Sequence, residues 1–137
     1  RMGEKIAVIL QTTLSLAAAA ALINFWIFVR VVRVRIAGKV IHGDGGNELL
    51  ARRMRAHLNF AENVPIVLIL IGVIEMTTKG GNWLAYVGAA FMLARVAHAF
   101  GMDSEKPNPF RAGGMIATLA IQLGLAVTAV LIALGKI

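Results

Sequence analysis

The chain contains no cysteine, which excludes disulfides, thiolate-ligated metals and a sulfur nucleophile carried by the protein itself. Any thiol chemistry must use the sulfur of a substrate, and no metal site is expected. Acids are also scarce: seven Asp and Glu stand against 14 Lys and Arg, for a net charge of +7. In a soluble protein that balance would suggest nucleic acid. Here the basic residues flank long uncharged stretches, so they read as orientation signals and no nucleic-acid partner is expected. Tyr86 is the sole tyrosine, so a phenol is available at one position only.

Apolar residues fill the space left by these absences, at 58% of the chain and a mean hydropathy of +0.76. That is outside the range of soluble domains and points to a membrane protein. No charge occurs between Ile6 and Val29, or between Ala112 and Gly135; at ~1.5 Å rise per residue, each stretch reaches ~36 Å as a helix and can cross a bilayer. The first is too long for a cleavable signal and runs into Arg30, Arg33 and Arg35, so it is expected to remain as a permanent helix anchored at the membrane surface. Two further apolar runs, Val64 to Ile74 and Trp83 to Ala94, are too short alone. They span only if the polar flanks Arg55 to Asn63 and Arg95 to Phe100 enter the membrane as helix.

The expected fold is therefore all-α: a single domain over 1–137, an integral membrane four-helix bundle of antiparallel up-down topology. Its helices fall roughly at 4–35, 47–76, 82–101 and 110–135. Gly43, Gly45 and Gly46, then Gly80 and Gly81, then Pro107 and Pro109 mark the three connections. The first and third loops with their helix ends hold ten of the Lys and Arg residues, leaving Arg1, Lys5, Lys79 and Lys136 for the other side. The excess of basic residues predicts that these two loops face the cytoplasm and that both termini face away. In a bacterial cell the inner membrane is the expected location. No transporter-like internal repeat is evident, and the alanine run Ala17 to Ala21 reads as a close-packing surface.

The polar flanks carry the chemistry. Arg52, Arg55, Asn59 and Glu62 follow a 3, 4, 3 spacing that holds them on one stripe of the second helix; Arg95, His98 and Met102 do the same on the third. Counted from opposite helix ends, the two sets reach a similar depth. An ionised group near the bilayer centre costs roughly 2.5–3.5 kcal/mol, so the stripes must face each other, another subunit or water. Pro65 deprives the Ala61 carbonyl of its partner and predicts a bend beside Glu62. Two readings remain open. Either Glu62 pairs with Arg95 or Arg55 and Asn59 bonds a neighbouring helix, purely to hold the bundle together, or the groups line a basic cavity for a small anionic ligand that also carries an amine.

The segment Arg52-Arg-Met-Arg-Ala-His-Leu-Asn-Phe-Ala-Glu-Asn-Val-Pro65 resembles the second-helix signature R-A-x-x-N-x-x-E, with a proline shortly after, of the MAPEG family (membrane-associated proteins in eicosanoid and glutathione metabolism). Ala94-Arg-Val-Ala-His98 is similar to the family's third-helix motif, and chain length and span number agree. The resemblance implies a homotrimer that binds glutathione, as co-substrate, between subunits. Arg55 and Asn59 would take its peptide and carboxylate groups and Glu62 its α-ammonium, with Arg95 and His98 from the third helix beside them. His57 would contact glutathione bound at the adjacent subunit, as would Arg33, although Arg30 and Arg35 are equally placed in sequence. Arg111 falls where the family's thiol-activating arginine lies, and as the catalytic residue it would stabilise the thiolate. Its other reading is an interfacial anchor.

The chain departs from the family pattern where Met102, His98 and Asn63 occupy positions that hold tyrosine in other members. What the resemblance implies is a membrane-bound glutathione transferase or peroxidase acting on lipophilic small molecules that arrive through membrane lipid. The alternatives are a non-catalytic relative binding glutathione, lipid or a protein partner, and a small exporter. The exporter is disfavoured because the first span has no carboxylate.

Overall fold

The structure, a computed structural model, describes residues 9–137. The expected start of the first helix at residue 4, and the basic residues Arg1 and Lys5, lie outside the described residues. Four helices follow: α1 over Gln11–Gly38, α2 over Glu48–Glu75, α3 over Asn82–Gly101 and α4 over Pro109–Ala133. All four are long and apolar enough to cross a membrane.

Local chemistry sets the helix boundaries. Lys39 closes α1 in the left-handed conformation at φ 54°, and Gly43, Gly45 and Gly46 continue the loop at positive φ, which glycine adopts without a steric penalty. Arg35 Nη1 donates to the Gly43 carbonyl at 2.7 Å, tying that loop to the helix it leaves. Asn47 caps α2 by accepting from the Leu50 N–H at 3.0 Å, and Asn108 caps α4 by accepting from the Arg111 N–H at 3.0 Å; both satisfy donors that a helix start leaves without partners. Pro109 then takes the first helical position, where its missing N–H costs nothing.

The N-terminus of α1 is capped from another helix. Glu75, the last residue of α2, accepts from the Thr12 and Thr13 N–H groups at 2.7 Å each and from the Thr13 hydroxyl at 2.6 Å. A carboxylate here both satisfies free donors and complements the positive end of the helix dipole. Glu75→Ala is expected to lower stability by about 1–2 kcal/mol, read as a reduced thermal midpoint in detergent, with Glu75→Gln losing less because its amide oxygen still accepts.

The core joins one face of each helix: Leu16, Ala20 and Ile27 from α1, Phe60, Val67 and Ile71 from α2, Leu84 and Phe91 from α3, and Leu125 from α4. The second and third helices form the central pair: α1 and α4 each pack against both, and among the described residues α1 and α4 do not meet. Small residues permit the closest approaches. A Cβ on Gly88 would lie 2.2 Å from Leu16 Cδ1, and one on Gly114 would lie 2.6 Å from the Ala94 carbonyl oxygen, so α3 is pressed closely against α1 on one side and α4 on the other.

Leu22, Phe25, Leu93, Ile116 and Leu123 point outward, which suits a chain whose solvent at these positions is hydrocarbon. The alanine run does not pack as expected within the chain. Only Ala20 is buried, while Ala17, Ala18 and Ala21 are exposed, because at 100° per residue five successive positions cannot share one face. Pro65 does not interrupt α2, which runs as one helix through it; Asn63 Nδ2 donates to the Asn59 carbonyl at 2.8 Å one turn back.

Candidate functional site

Arg95 organises the polar interior. It is 1% exposed and lies on the face of α3 turned toward α2 and α4. Its Nη1 donates to Thr118 Oγ1 on α4 at 2.9 Å. Its Nη2 donates to Asn59 Oδ1 on α2 and also lies 3.4 Å from His98 Nδ1, one turn along its own helix. Thr118 Oγ1 in turn donates to the Gly114 carbonyl at 2.8 Å, so the guanidinium, hydroxyl and main chain form a hydrogen-bonded chain across two helices. Among the described residues no carboxylate joins it, and Arg95 Nε is buried without a partner. Low polarity makes such an uncompensated charge costly.

These bonds correct one of the readings offered by sequence. Among the described residues the ion pairs are Arg30 with Asp103, Arg53 with Asp103 and Arg52 with Glu48; Glu62 pairs with neither Arg95 nor Arg55. Arg95 takes neutral partners because Asn59 and Thr118 stand at its depth, whereas Glu62 is exposed on the outer side of α2.

Beside these bonds a cavity of about 590 Å³ is lined by Arg55 and Asn59 from α2, His98 from α3 with Met102 at its C-cap, Pro107 and Asn108 from the loop, and Arg111, Ala112 and Met115 from α4. Its volume is within the ~300–1,000 Å³ typical of small-molecule sites. Arg55 and Arg111 stand in the wall, Arg95 stands behind Asn59 and His98, and no acid is among the lining residues. The cavity is therefore strongly cationic and suited to an anion.

Glycine brings the last wall into place. A Cβ on Gly101 would lie 2.2 Å from the Arg111 backbone nitrogen and 2.7 Å from its Cα, so the start of α4 rests directly on the end of α3. Asn108 Nδ2 donates to the Gly101 carbonyl at 2.7 Å while its Oδ1 caps Arg111. One side chain thereby joins the two helices at the cavity rim.

The expected site residues separate into three groups. Arg55, Asn59, His98 and Arg111 meet at the cavity. Arg95 is not among the lining residues and stands behind Asn59, to which it donates. Glu62, His57 and Arg33 lie elsewhere on the chain: Glu62 stands on the Arg55 stripe two turns further along α2, His57 Nε2 is 2.9 Å from Asn24 Oδ1 on α1, and Arg33 is exposed. Of the three candidate arginines on α1, Arg30 is held by Asp103 and Arg35 by Gly43, which leaves Arg33 turned outward.

Sequence pattern did not identify Thr118, Gly114, Gly101 or Met115 as part of this site. Thr118 was detectable in principle as a hydroxyl four residues after a glycine in an otherwise apolar span. Met115 lies 3.7 Å through Sδ from Asn59 Nδ2, but nothing in an apolar helix marks a methionine of this kind.

Comparison with known proteins bears on the chain as a whole. The family model described as "MAPEG family" matches residues 13–131, a range that runs from the first turn of α1 to the last turn of α4. The chain belongs to the MAPEG family. It is similar to "Inner membrane protein YecN" of Escherichia coli strain K12 at 33% identity over 89 residues, 64% of this chain and 66% of that protein. The same protein from Escherichia coli strain CFT073 matches with the same identity and coverage. The matched region is thus just under two thirds of either relative. In this MAPEG chain, the cavity has methionine at 102 and 115; Tyr86 is exposed and absent from its lining.

Proposed function

We propose that this protein is a membrane-bound glutathione-dependent transferase or peroxidase acting on lipophilic electrophiles, working as a homotrimer of antiparallel up-down four-helix bundles in a cell inner membrane with its sites between subunits at the cytoplasmic side. The observation that carries the reading is the cationic cavity itself: two arginines line it, a buried third stands behind, and among the described residues no carboxylate pairs with them. Glutathione brings two carboxylates, a peptide amide and one ammonium. Arg55 and Asn59 suit the first two kinds of group.

The ammonium needs an acid that the cavity of one chain does not provide. Glu62 is exposed within a membrane-spanning helix, where an ionised group facing lipid is costly. A second copy of the chain packed over that face would cover Glu62 and bring it to a shared site, with His57 and Arg33 of one subunit reaching glutathione held by its neighbour. Helix ends that meet in alternate fashion, Glu75 at Thr12 and Arg30 at Asp103, support the up-down arrangement. The two basic loops support a cytoplasmic opening with both termini away from it.

Arg111 is the residue assigned to chemistry. The thiol of bound glutathione loses its proton to solvent, and the thiolate is held by the guanidinium. It then attacks an electrophilic carbon, forming the carbon–sulfur bond as the leaving group departs with its electron pair. The lipophilic partner enters across the apolar outward faces of the helices from membrane lipid.

A specific observation favours a second reading, a non-catalytic MAPEG protein that binds glutathione, lipid or a protein partner. Met102 and Met115 line the cavity where a hydroxyl could assist the sulfur.

Titration calorimetry of the detergent-solubilised protein with glutathione, followed by a panel of electrophiles, tests both readings. Saturable binding with conjugate formation supports the transferase, binding without turnover of any electrophile supports the second reading, and no binding removes both. Glu62→Gln is expected to weaken binding about tenfold, because the carboxylate that pairs with the ammonium loses its charge; unchanged affinity would place the ammonium elsewhere.

A further inference from the structure

Asp103 lies outside the cavity, yet it holds both of the cavity's walls. It is the first residue after the α3 C-cap Met102, at the start of the loop leading to Arg111. Its Oδ1 accepts from Arg53 Nε on α2 at 3.2 Å, and its Oδ2 accepts from Arg30 Nη2 on α1. The two guanidiniums are fixed in turn. Arg53 Nη1 donates to the Arg30 carbonyl at 3.1 Å, and Arg30 Nη1 donates to the Ala99 carbonyl at 3.3 Å. Arg30 also lies over the Trp26 and Phe100 rings, 4.8 and 5.2 Å from their centroids.

One carboxylate therefore gathers α1, α2 and α3 at the end of the bundle where the cavity lies. Its position in the chain gives this a functional consequence. One wall of the cavity is α2, with Arg55 and Asn59; the other is the α3 end, loop and α4 start, with Met102, Asn108 and Arg111. Among the described residues three polar contacts join these walls: Arg95 to Asn59 deep in the bundle, Asn59 Nδ2 to Met115 Sδ at 3.7 Å, and Asp103 to Arg53 at the rim. Asn108 and Gly101 make the second wall one piece, so that a shift of Asp103 carries Arg111 with it.

We infer that Asp103, through Arg53 and Arg30, is a positioning residue that sets the spacing between the α2 wall and the Arg111 wall, and through it glutathione affinity and thiolate formation. This rests on the glutathione reading of the cavity, but the spacing itself does not. Arg53 carries no expected contact with ligand, so its pairing with Asp103 is separable from the binding groups. In the bilayer-edge setting a charge-assisted bond of this kind is roughly twice as strong as a neutral one.

The experiment uses the full chain, whose lack of cysteine lets spin labels be placed on Glu48→Cys and Lys106→Cys alone. Labelled protein is diluted with unlabelled to isolate distances within one subunit. Asp103→Asn and Arg53→Gln are compared with Asp103→Glu; Arg53→Gln cuts only the α2 arm and serves if Asp103→Asn does not fold. The expected result is a broadened or lengthened label distance in Asp103→Asn and Arg53→Gln, with glutathione affinity about fivefold weaker and a reduced thiolate signal, all largely restored in Asp103→Glu. An unchanged distance overturns the inference whatever happens to binding. A changed distance with wild-type affinity and thiolate signal also overturns it, leaving a tie of the fold alone. If the unsubstituted protein binds no glutathione, it is the proposed function that fails, and the label distance still decides whether Asp103 sets the wall spacing.

Discussion

Arg111→Ala is expected to abolish the ultraviolet difference signal that glutathione thiolate gives on binding. A cation in contact with an acid lowers its pKa by about 1–3. Removing it returns the thiol to the range of free thiols, near 8.5, and cuts the thiolate fraction at neutral pH by roughly eight- to thirtyfold. Conjugation falls in proportion, because the thiolate is the nucleophile. Affinity for glutathione should fall less, since Arg55 and Asn59 hold groups remote from the sulfur. Arg111→Lys should retain part of the signal as a point charge without the guanidinium's planar fork. An undiminished thiolate signal in Arg111→Ala would return the residue to its other reading, an anchor at the membrane surface. The side chain itself is exposed and lines the cavity, while its backbone is fixed by Gly101 and Asn108. Substitution should therefore remove the charge without disturbing the rim.

The sequence showed the spans more readily than the relations between them. Long uncharged stretches are legible because hydrocarbon admits few polar groups, and the two shorter helices became legible through the same rule, since their polar flanks had to enter the membrane to complete a span. Helical spacing likewise brought Arg55 and Asn59 onto one stripe, and the structure places both at the cavity with His98 and Arg111. Partner choice was not legible. Glu62 shares a stripe with Arg55, but a stripe that runs two turns along a helix has different neighbours at its two ends. The charge opposite Arg95 proved to be no charge at all, only Asn59 and Thr118. Periodicity also gives no account of Gly101 or Gly114, whose importance lies in what touches them from α4 and α3 rather than in their own helix. Asp103 read as a loop residue; its role depends on two arginines 50 and 73 positions away.

Arg95→Met offers the sharpest separation of stability from function, because the two should move in opposite directions. The guanidinium is buried without a countercharge, and Nε has no partner. Replacing a buried ionic group by an apolar side chain of similar length is often neutral or stabilising by about 1–4 kcal/mol, and an arginine at membrane depth carries an insertion cost of roughly 2.5–3.5 kcal/mol. Methionine also adapts to irregular space. The thermal midpoint in detergent is therefore expected to hold or rise. Glutathione affinity should drop. A unit charge acts on an anion with ~4 kcal/mol at 4 Å for an effective dielectric near 20, and half of that at twice the distance, so its loss from behind the wall weakens binding by about thirtyfold. Asn59 also loses the donor that fixes its amide. A clear fall in thermal midpoint with unchanged affinity would mean that Arg95 serves to lock α3 to α2 and α4. Weakened binding in a protein at least as stable would mean that the fold tolerates an expensive buried charge for the sake of the anion it attracts. Thr118→Val sharpens the distinction: it removes one hydrogen bond from Arg95 but leaves the charge in place, so it should reduce stability while affecting affinity far less than Arg95→Met.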